Sequence, residues 1–136
     1  MKPILLIVYH SQSGNTTRLA EAVLEGAAEI DAIETRLQSA FDTSIEDLAA
    51  CAGLLLGTPE NFGTMSGAVK DFFDRTFYPL ENQLTNLPYG IFISCGNDGR
   101  GAVREIQRIA QGYPFKQVAE PIIARGEVTA AHLVDC

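Results

Sequence analysis

Tryptophan is absent from this 136-residue chain, and cysteine, histidine and methionine occur only three, two and two times. The cysteines, Cys51, Cys95 and Cys136, form no CxxC pair and no metal-ligand spacing. That pattern argues against a zinc-held or disulfide-held scaffold and reads as reduced cytosolic thiols. Positive charge is also scarce: 10 Lys and Arg stand against 17 Asp and Glu, a net charge of −7. Nucleic acid and an anionic membrane are therefore not expected as partners. No run approaches the ~20 apolar residues needed to cross a bilayer. The apolar opening at residues 4–8 is too short for a signal peptide. Internal repeats, low-complexity tracts and linkers are missing as well. These absences leave one acidic, cytoplasmic domain, residues 1–136, and a hydrophobic content of 46% is enough to give it a core.

Short apolar runs alternate with helical patterns along the whole chain, which is the signature of an α/β fold on a parallel sheet. The first run, residues 4–9, is almost wholly apolar, as expected of a central strand covered on both faces. A helix is predicted over residues 15–29, with Leu19, Ala20, Val23, Leu24 and Ala27 on one face. Residues 33–37 alternate Ile-Glu-Thr-Arg-Leu, the pattern of an edge strand. Thr43 and Glu46 predict a capping box before a short second helix. A third strand is expected near residues 54–56, a third helix over 66–77, a fourth strand over 90–95 and a fourth helix over 102–111. In the third helix Val69, Phe72, Phe73 and Thr76 are expected to face inward, with Lys70, Asp71, Asp74 and Arg75 outward. The fifth strand, near residues 118–124, carries Pro121 and so belongs at an edge. Two edge strands and three central ones fit the order 2-1-3-4-5, a flavodoxin-like doubly wound five-stranded sheet. Residues 128–136 begin a fifth helix that stops after little more than two turns. The expectation is therefore a last helix that is truncated, or a sheet face closed by another subunit.

In that topology ligands sit at the carboxyl ends of the strands, beside the switch point between strands one and three. Three stretches leave those ends: YHSQSGNTT from Tyr9, TPENFGT from Thr58 and CGNDGRG from Cys95. The first packs five hydroxyl residues and a glycine ahead of a helix, a ready anion site made of neutral donors. A nucleoside triphosphate calls for GxxxxGK[ST], and no lysine is present in this loop. A dinucleotide calls for GxGxxG, and the loop has a single glycine. A phosphatase loop of this topology needs a cysteine here, and Cys95 with Arg100 follows the wrong strand at the wrong spacing. A phospho-accepting receiver would end strands one and three in aspartate, not in Tyr9-His10 and Thr58-Pro59. A terminal monophosphate remains. His10 reads as a solvated loop residue, and Cys95 as a strand-end residue contributing its backbone.

Ser11-Gln12-Ser13-Gly14-Asn15-Thr16 resembles the FMN-phosphate loop of flavodoxins, and GTPENFGTMSGAVKDFFDRT is similar to the matching segment of WrbA-type NAD(P)H:quinone oxidoreductases. The resemblance implies FMN as cofactor and NAD(P)H as electron donor. It assigns Ser11, Gln12, Ser13, Gly14, Asn15, Thr16 and Thr17 to the phosphate. It lays Thr58, Pro59, Glu60, Asn61, Phe62 and Gly63 along the flavin ring. Cys95, Gly96, Asn97, Asp98 and Gly101 would lie near its pyrimidine side and ribityl chain. The quinone reductases usually carry extra sequence around strand four that their tetramer uses. It is missing here, so tetramer formation is not implied.

Two functions follow. The first is an FMN-dependent oxidoreductase passing electrons from NAD(P)H to a quinone or another small acceptor; the second is a flavodoxin-type electron carrier. The missing tryptophan, and the missing tyrosine in the loop after strand four, leave room for a stacked substrate and favour the enzyme. The negative charge favours the carrier. An FMN-binding regulatory domain is a third reading, and the early end of the last helix suits it best. A homo-oligomer is expected from that same shortened helix.

Overall fold

In the computed structural model, residues 3–11, 14–80, 83–95 and 99–125 are described. Strands β1 (Ile4–Tyr9), β2 (Glu34–Ser39), β3 (Gly53–Pro59) and β4 (Pro88–Cys95) alternate with helices α1 (Asn15–Ala28), α2 (Ile45–Ala50) and α3 (Gly67–Thr76). Helix α4 (Arg100–Ala110) then leads to two short strands, β5 (Lys116–Gln117) and β6 (Ile122–Arg125). These strands pair in parallel in the order β2-β1-β3-β4-β5, the expected flavodoxin-like arrangement, with β6 also paired to β4.

The fifth strand is thus two pieces on one edge. Pro88 and Tyr89 pair with Lys116 and Gln117, and Phe92 to Cys95 pair with Ile122 to Arg125. Pro121 has no N–H for the ladder, and the chain leaves the sheet ahead of it before rejoining at Ile122. The shortened fifth helix falls on residues 128–136, outside the described residues.

Alternation along the central strands divides the core into two layers. Leu6, Val8, Leu54, Leu56, Ile91 and Ile93 pack against the side of α3 and α4 that carries Phe72, Phe73 and Ile106. Ile7 and Phe92 point the other way, onto Leu19, Ala20 and Val23 of α1, with Ile122 and Leu37 alongside. Coverage on both faces explains the unbroken apolar runs, and each fully buried large side chain contributes roughly 1.5–3 kcal/mol.

Two polar devices tie the helices to this core. Arg75 does not simply face water as expected. Its guanidinium donates to Asp71 Oδ2 at 2.7 Å, to the Thr43 carbonyl at 2.8 Å and to the Ala40 carbonyl at 2.7 Å, docking the β2–α2 loop onto α3. Tyr113 is fully buried, with its hydroxyl 2.9 Å from Thr76 Oγ1 and 3.1 Å from the Phe73 carbonyl, to which it donates. Burial pushes that phenol up to about 12.

The capping box before α2 is real but one residue later than expected. Ser44, not Thr43, is the N-cap: its Oγ accepts from Asp47 N at 3.1 Å, while the Asp47 carboxylate accepts from Ser44 N at 3.0 Å. The Thr43 hydroxyl instead donates to the Ser39 carbonyl at 2.8 Å, which orients the turn out of β2. The Ser44 backbone N–H is the main reason that the Asp47 carboxyl sits below its ordinary value. A depressed carboxylate stabilises the fold fully above its unfolded pKa and loses that contribution as pH falls through the folded one. Ser44→Ala should therefore lower stability at neutral pH by about 1 kcal/mol in urea titration. The gap between wild type and Asp47→Asn should close below about pH 4. A gap that stayed constant into acid would contradict the role of Asp47.

Candidate functional site

The carboxyl ends of β1, β3 and β4 lie side by side, because Tyr9 is in register with Gly57 and Pro59 with Ser94. The three loops singled out in the sequence therefore leave the same end of the sheet.

The first loop begins at His10, whose N–H is bound by the Gly57 carbonyl at 3.1 Å. His10 is half-buried rather than solvated: its ring meets the Phe41 edge at 5.7 Å, and its Nδ1 is buried without a partner. Ser11 Oγ accepts from Gly14 N at 3.0 Å and turns the chain back on itself. Gly14 has φ 94, a left-handed conformation that glycine adopts without steric cost, and a Cβ there would meet nothing within 4 Å. As the N-cap of α1 it has no side chain to satisfy the first-turn N–H groups, and the first turn carries no acidic residue. Donors at a helix start that no described side chain caps, with no acidic residue in the first turn, fit an anionic phosphate. Asn15 and Thr17 lie half-buried on that turn. Gln12 and Ser13 lie outside the described residues.

Thr16 behaves differently. Its hydroxyl is buried and sits 2.7 Å from Ser94 Oγ, joining the first turn of α1 to the end of β4 across 78 residues of chain. The Ser94 carbonyl also accepts from Glu60 N at 2.9 Å. Ser94 thus holds two of the three loops, although sequence reading passed over it. Its signal was a hydroxyl inside the apolar stretch Ile91 to Cys95, where a buried polar group needs a partner.

Thr58 is also structural in its side chain. Fully buried, its hydroxyl donates to the Pro59 carbonyl at 2.8 Å and accepts from Ser66 N at 2.9 Å, so its hydrogen-bonding capacity serves the loop itself. Ser66 then caps α3, accepting from Val69 N at 3.4 Å. Glu60 reaches the next loop: its carboxylate accepts from Ala102 N at 3.2 Å, in the first turn of α4.

Between these anchors lies a tight turn. Asn61 and Thr64 exchange backbone hydrogen bonds of 2.8 and 3.0 Å, and the two residues between them have positive φ, Phe62 at 51 and Gly63 at 74. Gly63 suits that geometry, but a bulky aromatic does not, and the strain is of order 1–3 kcal/mol. Phe62 nevertheless occupies the position and is completely exposed, at 106%. A strained residue that buries nothing in its own chain presents its ring outward. Gly101 meets this turn from the other side, for a Cβ on it would lie 1.9 Å from the Gly63 carbonyl oxygen. Its smallness lets two loops touch. Cys95 ends β4 as expected and is buried there, while Gly96, Asn97 and Asp98 lie outside the described residues.

The Thr16–Ser94 pair gives a direct test. Ser94→Ala should cost about 1–3 kcal/mol, because the Thr16 hydroxyl would be left buried and unpaired. Adding Thr16→Val should recover part of that loss, and a double-mutant cycle by urea unfolding should show coupling above about 0.5 kcal/mol. Strict additivity would sever the link between α1 and β4.

Comparison with known proteins agrees with this architecture. The family model described as NADPH-dependent FMN reductase matches residues 33–113. A flavodoxin of Aquifex aeolicus is 34% identical over 97 residues, covering 71% of this chain and 52% of the relative. An NAD(P)H dehydrogenase (quinone) of Geobacter sulfurreducens is 30% identical over 122 residues, covering 71% of this chain and 60% of its own. The chain thus spans a little over half the length of these curated relatives. The crystal structure of a flavodoxin, WrbA-like protein from Agrobacterium tumefaciens superposes with a TM-score of 0.80 at 23% identity, over 97% of this chain and 88% of that one. With the parallel strand order and the matched family model together, the chain belongs to the NADPH-dependent FMN reductase family and has a flavodoxin-like fold.

Proposed function

We propose that the protein is an FMN-dependent oxidoreductase that takes electrons from NAD(P)H and passes them to a quinone or a similar small acceptor. The observation that carries this reading is the pairing of an uncapped helix start at Gly14 with a strained, fully exposed Phe62 at the same end of the sheet. When bound, FMN supplies hydride acceptance and delivery, and the protein supplies position and surroundings.

In this reading the N–H groups of residues 15–17 and the hydroxyls of Ser11, Ser13 and Thr17 hold the phosphate. Thr16, whose hydroxyl is taken by Ser94, contributes through its backbone. The turn from Asn61 to Gly63 lies along the ring, where Phe62 shields one edge from water. Pro59 and Glu60 set that turn's height above the sheet. Gly96, Asn97 and Asp98 complete the pyrimidine side, with Cys95 and Gly101 fixing the ends of their loop. The shielding is light, since the chain has no tryptophan to cover the ring. Room for a stacked nicotinamide, and then for an acceptor on the same face, favours a turnover enzyme over a single-electron carrier.

Fluorescence quenching should show FMN binding far more tightly than riboflavin, since the first loop serves only the phosphate. Anaerobic mixing with NADPH or NADH should bleach the bound flavin, and benzoquinone should restore its colour over many turnovers. Comparable affinity for both flavins would remove the phosphate assignment. Failure of either nicotinamide to reduce the flavin would return the protein to the role of carrier.

Self-association belongs to the same proposal, supported by the β5–β6 edge, where Val118 is exposed and Ile122 half-buried. Sedimentation equilibrium should show a dimer or larger species. A monomer at every concentration would remove it.

A further inference from the structure

Two cavities, one of about 500 Å³ bordered by the Asn61–Phe62 turn and one of about 460 Å³ beyond it, share Lys70 and Ile109 and so form one groove between α3 and α4. Each exceeds the ~300 Å³ at which ligand pockets begin. The groove starts at Asn61 and Phe62, in the strained turn, and runs to Phe77 and Tyr78 at the far end of α3. Each wall is a helical stripe continued just past the helix: Lys70, Phe73 and Asp74 of α3 with Phe77 after it, and Glu105, Arg108 and Ile109 of α4 with Gly112 after it.

Its chemistry is apolar once the charges are accounted for. Every charged residue lining it belongs to one of two ion pairs, Lys70–Asp74 at 2.7 Å and Arg108–Glu105 at 3.7 Å. Two cations and two anions leave no net charge, and both cations are already engaged. A dinucleotide's diphosphate would meet the Asp74 and Glu105 carboxylates there as well as the two cations. Phe62, Met65, Phe73, Phe77, Tyr78 and Ile109 supply the rest of the wall. A neutral hydrocarbon chain needs no charged partner in such a channel, and the burial of its surface offsets the freedom it loses on binding.

We infer that the α3–α4 groove receives the prenyl tail of a quinone whose head lies at the Phe62 turn, so that the acceptor class is isoprenoid quinones rather than tailless ones. This inference rests on the proposed quinone reduction, and it adds that specificity comes from a channel that leads away from the cofactor loops along α3 and α4.

The test compares geranyl-1,4-benzoquinone with 1,4-benzoquinone by equilibrium dialysis against the FMN-loaded protein. The geranyl compound should bind at least about tenfold more tightly. Geraniol, which is the tail without a redox head, should shift the backbone amide signals of Lys70, Asp74, Ile109 and Gly112 in nitrogen-15 NMR, with or without flavin. Two variants should cut the geranyl affinity about tenfold while leaving 1,4-benzoquinone and FMN binding unchanged. Gly67→Leu fills the groove from a position where a Cβ meets nothing within 4 Å. Tyr78→Asp places a charge on an exposed wall residue.

A tail preference below about threefold, or geraniol shifts confined elsewhere, would overturn the inference. Shifts of the same amides by NADPH would give the groove to the nicotinamide donor and also overturn it, as would a dimer that buries the α3–α4 face. If benzoquinone is turned over but geraniol does not bind, only the groove inference fails. If geraniol binds and no quinone is reduced, the proposed activity fails, and with it the assignment of the tail to an acceptor.

Discussion

A hydroxyl pair 2.7 Å long, Thr16 to Ser94, joins the helix that follows the first loop to the strand that carries the third loop. Buried hydroxyls without a partner are costly, so this contact fixes α1 against β4 in one position rather than a range of positions. The Ser94 carbonyl binds Glu60 N, and the Glu60 carboxylate binds Ala102 N in α4. From one strand end the geometry of three loops is therefore set. None of these bonds involves Gly14 or Phe62, and both stay exposed.

The site also holds stress that the rest of the molecule sustains. Phe62 stays at φ 51 because the Asn61–Thr64 bonds close the turn around it, while Gly63 and Gly101 allow a neighbouring loop to press against it. Such positions persist only where the surroundings over-determine them. Here the surroundings are rigid: Thr58 is locked between Pro59 and Ser66, and α3 behind the turn is packed through Phe72 and Phe73 into the larger core layer. The same helix offers its outer stripe to the groove with α4. A single element thus supports the turn from within and borders the proposed tail channel from without.

The order of strands, the two-faced core and the exit of three loops from one end of the sheet were legible in the sequence. Each depends on local pattern: unbroken apolar runs for central strands, alternation at Ile33 to Leu37 for an edge, and 3.6-residue spacing for helices. The inward set of α3, Val69, Phe72, Phe73 and Thr76, is buried as its spacing required. Local pattern was less able to place caps. Thr43-Ser44 followed by Glu46-Asp47 offers two overlapping capping boxes, and the choice of Ser44 with Asp47 depends on Thr43 being drawn to the Ser39 carbonyl at the end of β2. The division of the edge strand at Pro121 likewise depended on where β4 offered partners.

What the sequence determined by itself is chemistry of short range: a glycine where φ must be positive, hydroxyls around a helix start, and apolar periods that select a doubly wound sheet. What only the tertiary structure decided is which of those groups are spent within the chain. Thr16, Thr58 and Glu60 read alike with their neighbours as donors or acceptors for a ligand, yet each is bound by a partner brought close by the fold, from eight to 78 residues away. Arg75 reads as a surface charge and instead joins two loop carbonyls more than thirty residues distant. The reason is physical. A polar side chain takes the nearest partner that burial denies to water, and nearness across a parallel sheet is set by register and packing, not by separation along the chain.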